Sequence, residues 1–96
     1  MHVISRKKLK EFWARHADSR GALEAWFKVV RTTRYETWAD LKRTFAGKVD
    51  KVGDRIVFDV GGNKYRIIAV VHFNRGKVYV RHVLTHAEYD RGAWKT

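Results

Sequence analysis

Four side chains in the last third of this sequence carry the groups needed to cleave a phosphodiester bond. Arg66 and Arg81 bear guanidinium forks that match phosphate oxygens and stay charged. His86 and Tyr89 bear groups that can transfer a proton or stack on a base. Metal-free cleavage of RNA needs a proton acceptor for the 2′-OH, cations on the phosphorane and a proton donor for the departing 5′-oxygen. We therefore predict these four residues as a catalytic set, without assigning the base and the acid.

Metal-dependent cleavage has less support in the sequence. Two-metal mechanisms need clustered carboxylates, and only Glu88 and Asp90 lie near the end of the last predicted strand. The five histidines do not show helical ligand spacing with a third partner, and the chain has no cysteine for a thiolate site or a disulfide. We predict no metal and no other cofactor.

Two predicted strands must position the two arginines. The run from Tyr65 to Phe73 consists mostly of β-branched and aromatic residues, so both faces of the predicted strand are largely apolar. This is typical of a central strand. The segment from Asn74 to Lys77 predicts a hairpin connection, after which residues 78–85 return antiparallel. Strict alternation places one group of residues of the second strand together, opposite Arg81. This group is Val78, Val80, His82 and Leu84.

The second strand runs into a predicted helix start. Thr85 and Glu88 have the spacing of a capping box, so a short helix should follow. This places His86 at the first helical position, where the backbone dipole favours an anion as a neighbour.

The remaining chain predicts an α+β domain formed by residues 1–96. Helical periodicity indicates a helix over residues 6–16 capped by Ser5, a second helix from Asp18 or Ser19, and a third from Thr37 to about Phe45, closed by Gly47. Short strands are predicted at residues 1–4, 49–52 and 55–60. The expected architecture is an N-terminal helical hairpin packed on one face of a twisted, mostly antiparallel sheet, followed by a short C-terminal helix.

The charge balance indicates a polyanionic partner. The chain has 21 Lys and Arg against 10 Asp and Glu, a formal net charge of +11, which favours association with nucleic acid. The residues predicted to contact RNA are Asn63, Lys64, Lys42, Arg43, Lys48 and Lys51. A merely solvated basic face and an acidic protein partner are the alternatives. No apolar run reaches the roughly 20 residues of a membrane span and no signal peptide is evident, so we expect a cytoplasmic protein with no membrane partner.

Three segments resemble a known family. The run FDVGGNKYRIIAVVHF, the run VYVRHVLTHAEYD and the opening MHVISRKKLKEFWARH are similar to the HigB group of type II toxins, within the RelE/ParE-like superfamily. The resemblance covers essentially the whole chain and implies a RelE-like fold. It also implies a metal-independent mRNA interferase, in which Arg66 matches the strand arginine and Tyr89 the late tyrosine of such enzymes. His86 and Arg81 would complete the set.

The same resemblance implies a biological setting. The toxin would cleave mRNA on the ribosome and inhibit translation. Its partner would be a cognate antitoxin, typically a helix-turn-helix protein of the HigA-like kind, and operator DNA would be reached only through that antitoxin.

Two other functions remain open at this point. A ParE-like gyrase inhibitor would share the fold without the proton-transfer groups. A non-catalytic RNA-binding module would explain the charge without any chemistry.

Three of the four predicted catalytic residues also have a structural alternative. Arg66 can form a salt bridge with Asp59, Tyr89 can cover the edge of the core, and His86 can simply begin a helix.

Overall fold

A computed structural model describes residues 1–95 as a five-stranded sheet with the N-terminal helices packed on one face. The strands are β1 (His2–Ile4), β2 (Val49–Val52), β3 (Arg55–Val60), β4 (Tyr65–His72) and β5 (Lys77–Thr85). The helices are α1 (Arg6–Arg15), α2 (Arg20–Thr32), α3 (Trp38–Thr44) and α4 (His86–Arg91), with 3₁₀ turns at Ala17–Ser19, Phe73–Arg75 and Ala93–Lys95. The predicted α+β architecture is confirmed.

The sheet order places β4 at its centre. The order is β1-β5-β4-β3-β2, in which β1 runs parallel to β5 and all other neighbours are antiparallel. The β4 residues Ile67, Ile68 and Ala69 are fully buried, as expected of a strand covered on both faces. The prediction that this segment forms the central strand is therefore confirmed.

Two apolar cores hold the layers together. The larger lies between the helices and the sheet and contains Leu9, Phe12, Trp26 and Phe58, all nearly or fully buried. The smaller lies on the opposite face of the sheet, where Val57 and Ile68 pack against Trp94. The C-terminal segment therefore covers part of the face that the helical hairpin leaves open.

A β-bulge changes which residues of β5 share a face. Ile68 pairs with His82 but Ala69 pairs with Val80, so Arg81 is an extra residue in the ladder. Val80 consequently packs in the helix-side core, while His82 lies opposite Ile68. The predicted grouping of Val78, Val80, His82 and Leu84 on one face is wrong, because strict alternation stops at the bulge.

Element boundaries otherwise differ from the prediction by a few residues. Ser5 precedes α1 with a left-handed φ of 74° and makes no side-chain cap, so the predicted Ser5 cap is wrong. The Ala17–Ser19 turn delays the start of α2 to Arg20.

The third helix begins after Thr37, which forms a capping box with Asp40, and it ends at Thr44, before Gly47. Lys77 belongs to β5, and the connection before it is the Phe73–Arg75 turn.

None of the helices in residues 1–95 combines the length and the apolar character needed to cross a bilayer.

A partly buried hydrogen bond ties the helical hairpin to the start of β4. The Tyr65 hydroxyl donates to Asp18 Oδ2 at 2.7 Å, and Tyr65 itself is buried. This hydrogen bond is the largest cause that lowers the pKa of Asp18 and raises the pKa of Tyr65. The contact joins the α1–α2 connection to the strand that carries Arg66.

This contact predicts part of the loss of stability in acid. Because the folded-state pKa of Asp18 lies below its ordinary value of about 3.9, its stabilising effect is complete above that value and is lost as the pH falls through the folded pKa. Asp18→Asn should therefore lose less stability than wild type when urea midpoints are compared between about pH 5 and about pH 2.

Glu11→Gln is the matched control, since Glu11 is an exposed carboxylate with no ion pair in residues 1–95. An Asp18→Asn profile parallel to that of wild type would show that the Tyr65 contact does not form.

Candidate active site at the Arg66 end of the sheet

The Arg66 guanidinium is buried and every one of its N–H groups has an acceptor. Nε pairs with Asp59 Oδ1 at 2.9 Å. Nη1 donates to the backbone oxygens of Asn63 and Tyr65 at 3.0 and 3.1 Å, and Nη2 donates to Asn63 Oδ1 at 2.7 Å. The last contact joins Nη2 to His86 Nδ1 at 3.0 Å. A guanidinium has five N–H donors, so this arrangement satisfies all of them.

The local sequence explains how these acceptors converge. Asp59 and Arg66 are directly opposite in the β3–β4 ladder, on the same face of the sheet. The connection between the two strands needs positive φ at Gly61, Gly62 and Asn63, and Asn63 adopts φ 75°. This conformation brings both oxygens of Asn63 to the guanidinium. The ion pair that the sequence offered as a structural alternative for Arg66 is therefore present.

His86 reaches Arg66 from the first residue of α4. The capping box between Thr85 and Glu88 forms as predicted, with Thr85 Oγ1 accepting from the Glu88 amide and Glu88 Oε1 accepting from the Thr85 amide. The His86 amide donates to the Lys64 carbonyl at 2.9 Å, which fixes the helix start against the β3–β4 connection. His86 Nε2 then contacts Asp90 Oδ2 at 3.0 Å, one helical turn later.

The partners of His86 determine its tautomer. Arginine donates hydrogen bonds and never accepts them, so His86 Nδ1 must use its lone pair toward Arg66. A neutral imidazole with Nδ1 unprotonated carries its proton on Nε2, and this N–H donates a hydrogen bond to the Asp90 carboxylate. Arg66 and Asp90 together therefore fix the orientation and the protonated nitrogen of His86.

Tyr89 lies beside the same guanidinium. The Arg66 Cζ atom is 5.2 Å from the centre of the Tyr89 ring, within the range of a cation–π contact. The ring also stacks on Trp94, with centroids 5.2 Å apart and planes at 13°, and the Trp94 indole N–H donates to the Tyr89 carbonyl at 2.9 Å. Burial, followed by the nearby Asp50 carboxylate, raises the pKa of the Tyr89 phenol, and Arg66 opposes this shift. Tyr89 thus holds its proton at neutral pH.

Arg66 and Tyr89, but not His86, line an open cleft of about 330 Å³. Its lining consists of Gly47, Val49, Asp50, Val57, Asp59, Arg66 and Tyr89. The cleft therefore sets one cation against two carboxylates, Asp50 and Asp59. Within residues 1–95, no three His, Asp or Glu side chains form a group that could hold a metal ion.

The structure brings Arg66, His86 and Tyr89 together but leaves Arg81 apart. Arg81 is exposed at the bulge of β5, with its guanidinium 5.6 Å from the Tyr79 ring, and it lines a different cleft beside α1. In residues 1–95 no hydrogen bond, ion pair or ring contact joins it to the Arg66 group.

The predicted RNA-contacting residues fall at two places near the cleft. Asn63 and Lys64 are exposed in the β3–β4 connection, beside Arg66 and His86. The other four lie near the α3–β2 side: Lys42, Arg43, Lys48 and Lys51 are all exposed. Lys42 and Arg43 line a shallow depression that shares Gly47 with the Arg66 cleft, and Arg43 is paired with Asp40.

Sequence reasoning missed three participants. Asp90 contacts His86, Asp50 lines the cleft, and Trp94 supports Tyr89. The i,i+4 spacing of His86 and Asp90 on a predicted helix was a signal that could have identified the pair. The sequence held no comparable signal for Trp94, because its contact depends on the turn that follows α4.

Comparison with known proteins decides the family. Residues 19–92 match the family of HigB toxins, described as the RelE-like toxic component of a toxin-antitoxin system. This chain belongs to the HigB toxin family. It is 32% identical over 94 residues to the mRNA interferase HigB of Escherichia coli O6:H1 strain CFT073, covering 95% of this chain and 90% of that protein. It is 33% identical over 92 residues to the mRNA interferase toxin HigB of Escherichia coli K12, covering 94% and 88% of the two chains.

The family match includes all the elements that build the Arg66 site. Residues 19–92 run from the start of α2 through β4, β5 and α4, so Asp59, Arg66, His86, Tyr89 and Asp90 all lie within the matched region. Trp94, which supports Tyr89, lies just beyond it. The resemblance to HigB toxins found in the sequence is confirmed.

The His86 tautomer can be tested directly. Nitrogen-15 NMR of histidine side chains near neutral pH should show Nδ1 of His86 unprotonated and Nε2 protonated, because Arg66 occupies the Nδ1 lone pair. His2, which is exposed on β1, should instead show exchange between the two tautomers and serves as the internal control. A proton found on Nδ1 of His86 would mean that the Arg66 contact is absent.

Trp94 should contribute strongly to stability. Only 4% of Trp94 is exposed and it closes the smaller core, so Trp94→Ala should lower the free energy of unfolding by about 3–5 kcal/mol in urea titrations. Val29→Ala, at a position that is 39% exposed on α2, should change it by no more than about 0.5 kcal/mol. Equal effects of the two variants would contradict the packing role of Trp94.

Proposed function

We propose that this HigB-family toxin is an mRNA interferase that cleaves RNA by attack of the 2′-OH, without a metal ion. The observation that carries the proposal is the convergence of Arg66, His86, Asp90 and Tyr89 on one end of the sheet. The relatives at 32% and 33% identity are named mRNA interferases, which supports the same activity.

The reaction has two proton transfers and one exchange of bonds at phosphorus. The ribose 2′-oxygen attacks the adjacent phosphorus while the bond from phosphorus to the 5′-oxygen breaks, giving a 2′,3′-cyclic phosphate and a 5′-hydroxyl. The 2′-OH proton passes to a base, and an acid supplies a proton to the departing 5′-oxygen. No oxidant, reductant or added water is consumed in this step.

The geometry supports a division of these roles. Tyr89 keeps its phenolic proton because burial raises its pKa, which suits the acid. The proposed base is the carboxylate oxygen of Asp90 that no protein hydrogen bond in residues 1–95 engages, because the other oxygen, Oδ2, accepts the His86 Nε2–H. This contact orients the carboxylate, and Arg66 orients the imidazole in turn through Nδ1.

The arginines supply positive charge in different ways. Arg66 lies in the cleft lining as a fixed cation that offsets Asp50 and Asp59 and faces the scissile phosphate. Direct clamping of that phosphate requires Asn63 Oδ1, an acceptor from an exposed residue, to give up its place on Nη2. Arg81 lies outside this group, and its role is to hold the substrate.

The cellular setting follows from family membership and charge. The proposed substrate is mRNA on the ribosome in the cytoplasm, with cleavage inhibiting translation. A small and open cleft selects single-stranded RNA poorly by itself, so a ribosome would supply positioned mRNA. The proposed antitoxin is a HigA-like helix-turn-helix protein that brings the toxin to operator DNA. The exposed residues Asn63 and Lys64 and the basic residues near α3 are proposed to contact RNA.

Removal of the Tyr89 hydroxyl is the sharpest test of this function. Tyr89→Phe preserves the ring that stacks on Trp94 but removes the proposed acid, so single-turnover cleavage of translated mRNA should slow by about 10²–10⁴-fold. Primer extension after brief induction should show discrete new 5′ ends in translated regions with wild type and far fewer with Tyr89→Phe.

Arg75→Gln is the matched control because Arg75 is exposed in the β4–β5 turn, away from the site. Cleavage by Tyr89→Phe at the rate of wild type would refute the assigned acid. Growth arrest by the wild-type chain without new mRNA ends would favour a gyrase-type target instead.

A further inference from the structure

A second cleft lies between α1 and the exposed part of β5. The parallel pairing of β1 with β5 ends at Ile4 and Tyr79, so the β5 residues that follow have a strand neighbour only on the β4 side. Helix α1 takes the place of a strand there, and Lys8 Nζ donates to the Arg81 carbonyl at 3.3 Å. The space between the two elements has a volume of about 220 Å³.

The lining of this α1–β5 cleft is strongly basic. It includes Lys8, Arg15 and Arg81, and none of these three cations forms an ion pair with any residue in 1–95. Glu11 is the single acidic residue among the described residues that line this cleft. The cleft therefore carries an excess of uncompensated positive charge, in contrast to the Arg66 cleft.

The bulge explains why Arg81 is available to a ligand. An extra residue in one strand leaves the ladder and redirects its side chain. Arg81 is that residue, and its side chain remains exposed with its guanidinium 5.6 Å from the Tyr79 ring. The neighbouring His82 reports the local potential, because burial and the charges of Lys8, Arg55 and Arg81 lower its pKa.

The α1–β5 cleft lies close to the proposed reaction centre. Leu84, which lines the cleft, is directly opposite Arg66 in the β4–β5 ladder. Arg81 is three residues earlier on β5, a distance of about 10 Å along an extended strand. His82 and Leu84 also line the adjoining depression formed by Glu88, Arg91 and Trp94. One RNA strand can therefore reach both places.

We propose that the α1–β5 cleft binds the sugar-phosphate backbone of RNA through Lys8, Arg15 and Arg81. This inference rests on the proposed function, because it adds a phosphate subsite beside the cleavage site. It assigns Arg81 to substrate binding and adds uncompensated positive charge beside the Arg66 cleft, whose lining holds one cation and two carboxylates.

Salt dependence of RNA binding tests the subsite without requiring cleavage. The probe is a fluorescent single-stranded oligoribonucleotide with 2′-O-methyl groups, which removes the attacking hydroxyl. Anisotropy titrations of the full chain at several KCl concentrations give the slope of log affinity against log salt. Arg81→Gln and Arg15→Gln should each reduce its magnitude by about 0.7, as expected for one lost phosphate contact on a single strand.

Lys28→Gln provides the matched control, since Lys28 is exposed on α2 and lines a groove on the outer face of the helices. It should leave the slope close to that of wild type. NMR of the wild-type chain gives a second readout: the oligonucleotide should shift the imidazole signals of His82 and leave those of His2 unchanged.

The outcomes separate the subsite from the proposed function. Slopes for Arg81→Gln and Arg15→Gln equal to that of Lys28→Gln, or an unperturbed His82, would overturn the subsite even if mRNA is cleaved. Reduced slopes and a shifted His82 would support the subsite even if no cleavage occurs. The same anisotropy titration is run in parallel with a duplex hairpin probe. Tighter binding of the single strand would indicate an mRNA strand as the ligand of the cleft, and tighter binding of the hairpin would indicate folded ribosomal RNA.

Discussion

The buried charge of Arg66 is the constraint on which the proposed site depends. A guanidinium removed from water must be paired and hydrogen-bonded, and removal of one partner of such a pair typically costs about 3–5 kcal/mol. The chain meets this requirement with Asp59 from β3, the oxygens of Asn63 and Tyr65, and His86 from α4. The interaction that satisfies a structural need therefore also orients the imidazole. The structural and functional interpretations of Arg66 are compatible in this arrangement.

Positive charge is divided between two clefts. At the Arg66 cleft one fixed cation faces two carboxylates, which suits proton transfer and local charge compensation more than attraction of a polyanion. Beside α1, three cations without ion pairs among residues 1–95 line a cleft along β5. Under the two proposals, substrate attraction and bond cleavage are therefore carried by different residues of a chain whose net charge is +11.

The sequence predicted features that depend on local patterns and missed those that depend on tertiary packing. The central strand, the capping box of Thr85 and Glu88 and the pairing of Asp59 with Arg66 follow from alternation, spacing and hairpin geometry. The bulge at Arg81 has no local signature such as glycine, so alternation put His82 on the same face as Val80. Arg81 was predicted in the site for its guanidinium, whose position on β5 strand spacing alone did not define. The support of Tyr89 by Trp94 depends on how the last turn folds back on the sheet.

The chemical groups on the cleaved ends distinguish attack by the 2′-OH from hydrolysis by a metal-activated water. If the 2′-OH attacks, mRNA cleaved by the purified chain in a translation system should carry 5′-hydroxyl ends and 2′,3′-cyclic phosphates. Enzymatic labelling of 5′-hydroxyl ends and ligation specific for cyclic phosphates give this readout. Products with 5′-phosphates and 3′-hydroxyls would contradict 2′-OH attack assisted by His86, Asp90 and Tyr89.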